Sequence, residues 1–206
     1  MKDQELEVKF IIASLPALES RLHSLGAQLV QPRLHEVNLR LDTPDLALTK
    51  SLQVLRLRQD SLARVTYKGP GRDQDGVRIR QELEFVASDF DTAHNLFKAL
   101  GYDVAMMYEK YRTVYDLDDV HVTLDEMPYG DFIEVEGPLP ESIQAASQRL
   151  GVAWEARLLD SYTALFDQLR SVMGFTFRDL SFENFSGLET PLLRLGYRFA
   201  DTTPPA

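Results

Sequence analysis

The sequence predicts an α+β protein built on a closed antiparallel β-barrel with helices packed outside. Three observations carry this. About eight stretches alternate apolar with charged residues, the period-two pattern of a strand with one apolar and one polar face. Short turns at Asp60-Ser61, Asp118-Asp119 and Pro128-Tyr129-Gly130 join several of them, which favours antiparallel neighbours. The polar faces carry both signs of charge on strand after strand. In a barrel those faces point into a lumen, where opposite charges compensate one another.

The elements follow in chain order. Glu5-Leu6-Glu7-Val8-Lys9-Phe10 alternates strictly and puts Glu5, Glu7 and Lys9 on one face. Ser14 can cap and Pro16 can open a helix in which Leu15, Leu18, Leu22 and Leu25 recur at helical spacing before Gly26. Residues 29–42 read as a long strand, Thr43-Pro44-Asp45 as a turn and 46–50 as a helical turn. Residues 52–59 set Arg56 and Arg58 opposite Leu55 and Leu57, and 63–68 put Arg64, Thr66 and Lys68 on one face. Gly69-Pro70-Gly71-Arg72-Asp73 lacks the Lys-Ser/Thr of a phosphate-binding P-loop and reads as a plain loop. Residues 77–86 gather Arg78, Arg80, Glu82 and Glu84 on one strand face, and Ser88 or Asp89 caps the helix that Gly101 ends. Strands within 102–116, 120–126 and 132–136 then present Lys110 with Arg112, Thr123 with Asp125, and Glu134 with Glu136. Helices are predicted over 140–150 and 155–169. The aromatic stretch from Phe175 to Phe185 reads as a docked tail, with a tunnel-mouth cap or a homodimer contact as its other readings. Asp201 to Ala206 reads as a frayed end. These boundaries predict a barrel domain over 1–170 and a C-terminal extension over 171–206, packed on the barrel or partly flexible.

Composition narrows the function. The 206 residues suffice for one domain with a substantial core. No apolar run approaches the ~20 residues of a membrane helix, and the first residues lack an apolar signal region. The absence of cysteine excludes disulfides, thiolate metal sites and a cysteine nucleophile. Together these predict a cytoplasmic protein with no membrane partner. The net charge of −10 argues against a general nucleic-acid binder. Residues 1–86 carry +1 and the remainder −11, so an anionic ligand needs a local basic site drawn mainly from the first half. His23, His35, His94 and His121 are scattered without metal-ligand spacing and read as surface or packing residues. Ser161 reads as structural. Trp154 and Tyr162 read as residues that pack helices on the barrel, with a place at the site's edge also open to Tyr162.

One barrel face would gather the charged residues. The bases suit phosphate oxygens, arginine through its forked donors. The carboxylates suit Mg²⁺ or Mn²⁺, which take oxygen ligands from carboxylates and phosphates. A single Glu-X-Glu or Arg-X-Arg pair is ordinarily a solvated strand face. Recurrence over successive strands points instead to a metal–polyphosphate site.

Glu5-X-Glu7-X-Lys9 resembles the N-terminal signature of the CYTH superfamily, the triphosphate tunnel metalloenzymes, which includes class IV adenylyl cyclases, thiamine triphosphatases and inorganic triphosphatases. Further likenesses follow in the family's order. Leu41-Asp42-Thr43-Pro44-Asp45 resembles Y-F-D-T-P, with Arg40-Leu41 in place of the usual aromatics. Leu55-Arg56-Leu57-Arg58 resembles L-R-I-R, Thr66-Tyr67-Lys68-Gly69-Pro70 resembles T-x-K-G-P, and Arg80-Gln81-Glu82-Leu83-Glu84 resembles R-x-E-x-E. Lys110-Tyr111-Arg112, then Leu124-Asp125 with Gly130 and Glu134-Val135-Glu136, and finally Ser161-Tyr162 are similar to the family's later motifs, Tyr129 standing where leucine is usual.

The resemblance covers residues 5–166 and implies an eight-stranded tunnel, a triphosphate-containing small molecule in its lumen and a catalytic divalent metal, Mg²⁺ or Mn²⁺. By position it implies phosphate binding by Lys9, Arg56, Arg58, Lys68, Arg80, Lys110 and Arg112. It implies metal binding by Glu5, Glu7, Glu134 and Glu136, with Glu82, Glu84 and Asp125 as further ligands, and a catalytic role for Glu5, Glu7 and Lys9. Arg80 has pairing with a carboxylate as its second reading. The activity implied is hydrolysis of an inorganic or organic triphosphate. The alternative is cyclisation of ATP to cyclic AMP and pyrophosphate, and the lesser alternative a non-catalytic polyphosphate or nucleotide binder. Some class IV cyclases carry a His-Phe pair before the first motif. Here Met1 to Gln4 precede Glu5, which tilts the expectation towards hydrolysis.

Overall fold

The alternating stretches become nine strands: β1 (Gln4–Ile12), β2 (Gln28–Asp42), β3 (Val54–Gln59), β4 (Ala63–Lys68), β5 (Arg72–Gln74), β6 (Val77–Ala87), β7 (Asp103–Leu117), β8 (Val120–Met127) and β9 (Gly130–Glu136). The computed structural model describes residues 4–188 and 192–202. Neighbours pair antiparallel in the order β1-β9-β8-β7-β2-β3-β4-β6, and β6 returns to β1 through Gln4↔Gln81 to Glu7↔Arg78, closing a ring of eight. The ninth strand, β5, pairs only with β6, where the sequence suggested a loop. Its cause is local. Asp75 and Gly76 take φ of 52° and 80°, the two-residue turn geometry that folds one strand straight back on the next.

The apolar core lies outside this ring. Helix α1 (Leu15–Ser24) begins at Ser14, whose hydroxyl accepts the Ala17 N–H at 3.3 Å. Helix α2 is the single turn Ala47–Lys50, α3 spans Phe90–Ala99 and α4 spans Pro140–Leu150. Leu18 and Leu22 of α1 and Ile143 and Leu150 of α4 meet Val8, Phe10, Val122 and Val135 on the outer ring face. Ala93 of α3 joins a smaller cluster with Leu41, Leu57 and Val65. No helix among the described residues is long and apolar enough to cross a membrane.

The inner face is charged over only part of its length. Stepping by two along each strand, Ile11 follows Lys9, Met127 follows Asp125, Tyr108 precedes Lys110 and Phe132 precedes Glu134. These four pack with Leu165 and Phe166 of α5 (Tyr162–Met173) and with Leu180 and Phe185 of the following segment. An apolar plug therefore closes this part of the ring. The aromatic tail belongs to it: Phe177 stacks on Phe166 at 5.9 Å, and Leu180 bonds the backbone of Met107 and Glu109 at 2.9 and 3.1 Å.

The helix expected over 155–169 begins later, at Tyr162. Trp154–Ala156 forms one 3-10 turn, after which Leu158 exchanges backbone hydrogen bonds with Lys9 at 2.8 and 3.1 Å. Registered pairing of β1 with β6 ends at Glu7↔Arg78, so the far end of β1 presents an edge that this extended segment satisfies. Ser161 then caps α5, accepting the Ala164 N–H at 3.2 Å. The expected frayed end is anchored at its start. Ala200 donates its N–H to Ile11, and Asp201 accepts the N–H groups of Ala13 and Ser14 at 2.8 and 3.0 Å. Residues 203–206 of that expectation lie outside the described residues.

Asp42 explains why β2 ends where it does. Its buried carboxylate accepts N–H bonds from Thr43, Leu48 and Thr49 and the Thr49 hydroxyl, which ties α2 to the strand end. Burial raises its pKa, but these bonds outweigh burial and hold it below the ordinary aspartate value. A depressed folded-state pKa adds stability above the unfolded value of about 4, lost as pH falls through the folded value. Asp42→Asn is expected to cost about 2 kcal/mol at pH 7. Urea unfolding of both proteins should show that gap shrinking below about pH 4; a gap independent of pH would contradict the assignment.

Candidate active site

The ring encloses a cavity of about 360 Å³ lined by charged residues from seven strands and by the first turn of α5. The seven strands are β1, β2, β3, β4, β6, β7 and β9, with β4 reaching it through Lys68 at its end. Strand order segregates the charges. Glu5 and Glu7 of β1, Glu82 and Glu84 of β6 and Glu136 of β9 come from adjacent strands. Across the ring, Arg40 of β2, Arg56 and Arg58 of β3 and Lys110 and Arg112 of β7 form a basic wall. Lys9, Lys68 and Arg80 project from the acidic side. No histidine lines the cavity among the described residues.

Two lysines hold the acidic wall together. Lys9 Nζ lies 2.5 Å from Glu7 and 3.2 Å from Glu134, and Lys68 Nζ lies 2.7 Å from Glu5 and 2.9 Å from Glu82. Burial pulls the Lys9 ammonium down, but Glu134 and Glu7 outweigh it and leave its pKa above that of an ordinary lysine. The converse holds at Glu134, where burial is outweighed by Lys9, Arg112 and Lys110 and the carboxyl stays well below its ordinary value. Glu136 has no ion-pair partner among the described residues. It keeps solvent access, yet desolvation by the surrounding wall and the charges of Glu5, Glu7 and Glu82 push its carboxyl up to about 7.

The basic wall keeps some of its buried polar atoms unbonded. Burial and the neighbouring Arg56 pull the Arg58 guanidinium below its ordinary pKa, although arginine remains charged at neutral pH. Arg56 Nε, Glu36 Oε2 and both amide atoms of Asn38 are buried without a hydrogen-bond partner among the described residues, whereas Arg58 Nε lies 3.1 Å from the Asp60 carboxylate. Asn38 is fully buried between Glu36 and Arg40 on the inner face of β2. Orphaned donors beside crowded cations call for an oxygen-rich anion.

The structure places two of the expected site residues differently from the rest. Asp125 does not line the cavity. It is fully buried behind the wall, where it accepts Arg112 at 2.6 and 2.5 Å, Lys110 at 3.0 Å and the Tyr162 hydroxyl at 2.7 Å. Its two oxygens thus hold the side chains of Lys110, Arg112 and Tyr162 in place. Arg80 lines the cavity but forks onto the Gly69 carbonyl at 3.2 and 2.8 Å instead of a carboxylate. Every other expected site residue lines the lumen.

Several lining residues escaped the sequence reading. Glu36-Val37-Asn38-Leu39-Arg40 alternates as the other strands do, and its period carried the signal. The neutral Asn38 diluted it. Tyr108 sits two residues before Lys110 and its hydroxyl accepts a bond from Arg56 at 3.4 Å. Ser161 and Thr163 reach the cavity because α5 starts late, and Tyr162 takes the place at the site's edge that the sequence left open to it.

The donor set fits a hard divalent cation, being all carboxylate oxygen. No three acidic or imidazole groups among the described residues are already gathered to hold one. Lys9 and Lys68 stand between the carboxylates that would have to converge.

A family model described as the CYTH domain matches residues 3–149. The chain belongs to the CYTH family. This CYTH protein is 27% identical over 178 residues to the adenylate cyclase CyaB of Aeromonas hydrophila, covering 80% of this chain and 89% of that one. Its fold is shared with a proposed adenylate cyclase of Vibrio parahaemolyticus, with a TM-score of 0.72 at 21% identity over 80% of this chain and 98% of the other. It is also shared with HpAC1 of Hippeastrum, a proposed adenylyl cyclase described as having a dominant triphosphatase activity, with a TM-score of 0.60 at 18% identity over 80% and 95% of the two chains. The CYTH ring therefore accounts for the closed antiparallel sheet with helices outside that the alternation predicted.

Proposed function

We propose that this CYTH protein is a metal-dependent triphosphatase that hydrolyses a terminal phosphoanhydride bond inside the ring. The observation that carries the reading is an acidic wall facing a donor-rich basic wall across one lumen. Arg56, Arg58, Lys110 and Arg112 would bind the polyphosphate oxygens and neutralise charge that builds on them during transfer. Asp125 would fix the aim of Lys110 and Arg112. Lys9 would turn from Glu7 and Glu134 towards a phosphate oxygen. Glu5, Glu7 and Glu136, with Glu82 and Glu134 beside them, would hold Mg²⁺ or Mn²⁺, which supplies charge neutralisation and activation of water when bound. The apolar plug at Ile11, Phe132 and Tyr108 would keep bulk water from one end.

The second reading is an adenylyl cyclase, favoured by the naming of the Aeromonas relative. The same walls would then orient ATP so that its ribose hydroxyl attacks the α-phosphorus. One assay separates the readings. Purified protein with Mg²⁺ or Mn²⁺ is given tripolyphosphate, ATP or thiamine triphosphate, and phosphate, pyrophosphate and cyclic AMP are measured. Phosphate as the main product is expected. Cyclic AMP as the main ATP product would replace the hydrolase by the cyclase, and binding without turnover would leave only a binder.

A further inference from the structure

The outer face of the ring carries a separate cavity of about 620 Å³, within the roughly 300–1,000 Å³ typical of ligand sites. It shares no lining residue with the charged lumen. Helix α1 forms one side and the start of β2 another, over the outer faces of β7, β8 and β9. Pairing of β2 with β7 slips twice between Leu29 and Leu34, so β2 runs irregularly along this side. The walls are apolar. Leu15 and Leu124 are buried beneath the cleft, and Leu29, 52% exposed, lies at its mouth.

Three carboxylates share this cleft with one guanidinium. The guanidinium is already engaged, since Arg33 donates to both oxygens of Glu126 at 2.6 and 2.9 Å and lies 3.6 Å from the Tyr111 ring centre. Glu19 accepts the Tyr115 hydroxyl at 2.6 Å. Asp131 has neither a hydrogen bond nor an ion pair among the described residues. It stands directly across from Glu126 in the β8–β9 register, a position in which like charges repel. Burial and that neighbour hold its carboxyl above the ordinary aspartate value. A part-buried acid with no base, set between a like charge and apolar walls, is relieved by a cation brought from outside.

The surroundings select the kind of cation. No three acidic or imidazole groups among the described residues are gathered to hold a metal ion, and both Glu126 oxygens are taken by Arg33. Tyr115 is the one aromatic ring among the lining residues, so there is no aromatic cage for a quaternary ammonium. A primary ammonium has three donors to share among carboxylate and hydroxyl oxygens, and Asp131, Glu19 and the Thr113 hydroxyl supply such oxygens here. We propose that this outer cleft binds a small primary amine with an aliphatic or aryl body, its ammonium on Asp131 and its body against Leu15, Leu29 and Leu124. Occupancy of the cleft does not depend on the reaction in the lumen.

Three probes with one body and three charges test this: phenethylammonium, 2-phenylethanol and 3-phenylpropionate. Each is titrated at pH 7 into the metal-free protein and followed by NMR. The ammonium should bind about tenfold or more tightly than the alcohol, the scale of a charge-assisted hydrogen bond, and the carboxylate more weakly than either. Asp131→Asn keeps the side-chain shape and removes the repulsion with Glu126, so it should fold and lose the tenfold preference. Leu29→Ser, at the exposed mouth, should weaken the ammonium by about twofold or more through lost apolar contact. Glu136→Gln, in the lumen, should leave the ammonium affinity unchanged. No binding of the ammonium, equal binding of ammonium and alcohol, a preference kept in Asp131→Asn, an unchanged affinity in Leu29→Ser, or a preference lost in Glu136→Gln would each overturn the site.

Discussion

Asp125→Ala is expected to lower stability by about 3–5 kcal/mol and to abolish turnover. The carboxylate is fully buried, and Arg112, Lys110 and Tyr162 all converge on it. Removing it strands two buried cations whose remaining acidic neighbours, Glu134 for Arg112 and Glu36 for Lys110, cannot satisfy them alone. A chain of this size should lose roughly 10 °C in melting temperature. The same measurement without metal separates an anchor from a ligand. Glu136 stands among other carboxylates whose repulsion, added to desolvation, outweighs the pull of Lys68, so Glu136→Gln relieves repulsion and should leave metal-free stability equal or raised. Opposite signs for the two substitutions support the division of roles. A metal-free Asp125→Ala protein as stable as wild type would return Asp125 to the ligand set.

Asp125 also marks where sequence reading runs out. The period of two places it on the inner face with Thr123, and the motif likeness makes it a candidate ligand. Whether an inward carboxylate meets the lumen or a layer of cations in front of it depends on side-chain length across the ring. Lys110 and Arg112 on the neighbouring strand are long enough to cover a short aspartate, and Arg112↔Asp125 are registered partners. Strand identity, turns and most of the charged lining were legible because alternation survives any tertiary arrangement. The plug was not, because Ile11, Tyr108, Met127 and Phe132 continue that alternation while changing from charged to apolar. Their meaning appears only when four strands align the changes at one level and α5 supplies the cover.

The late start of α5 teaches the same lesson from another side. Residues 155–161 contain no strong helix breaker, so helical spacing runs through them. What interrupts the helix is the open edge of β1, whose Lys9 amide and carbonyl take Leu158 as partner. A non-local backbone demand outweighs a local preference. Its consequence is that Ser161, Tyr162 and Thr163 reach the lining of the charged cavity.

Lys9→Met should have the largest effect on chemistry with a small effect on folding. Its ammonium neutralises Glu7 and Glu134, but those side chains keep 12% and 13% of their exposure through the cavity, and Arg112 still bonds Glu134. Water and Arg112 can therefore compensate, which they cannot do at Asp125. Turnover of tripolyphosphate should fall by about 10²–10³, the scale of losing one charge-stabilising donor. Two binding readouts should move in opposite directions. Tripolyphosphate should bind more weakly, for want of a base. Divalent metal without phosphate should bind more tightly, because the lysine that occupies Glu7 and Glu134 is gone. The same competition predicts that in wild type triphosphate strengthens metal binding by drawing Lys9 away, and by linkage that metal strengthens triphosphate binding equally. Calorimetric titration of each ligand alone and then together measures all of these. Full activity in Lys9→Met, or metal binding that weakens alongside phosphate binding, would show that Lys9 is not the group that trades a carboxylate for a phosphate.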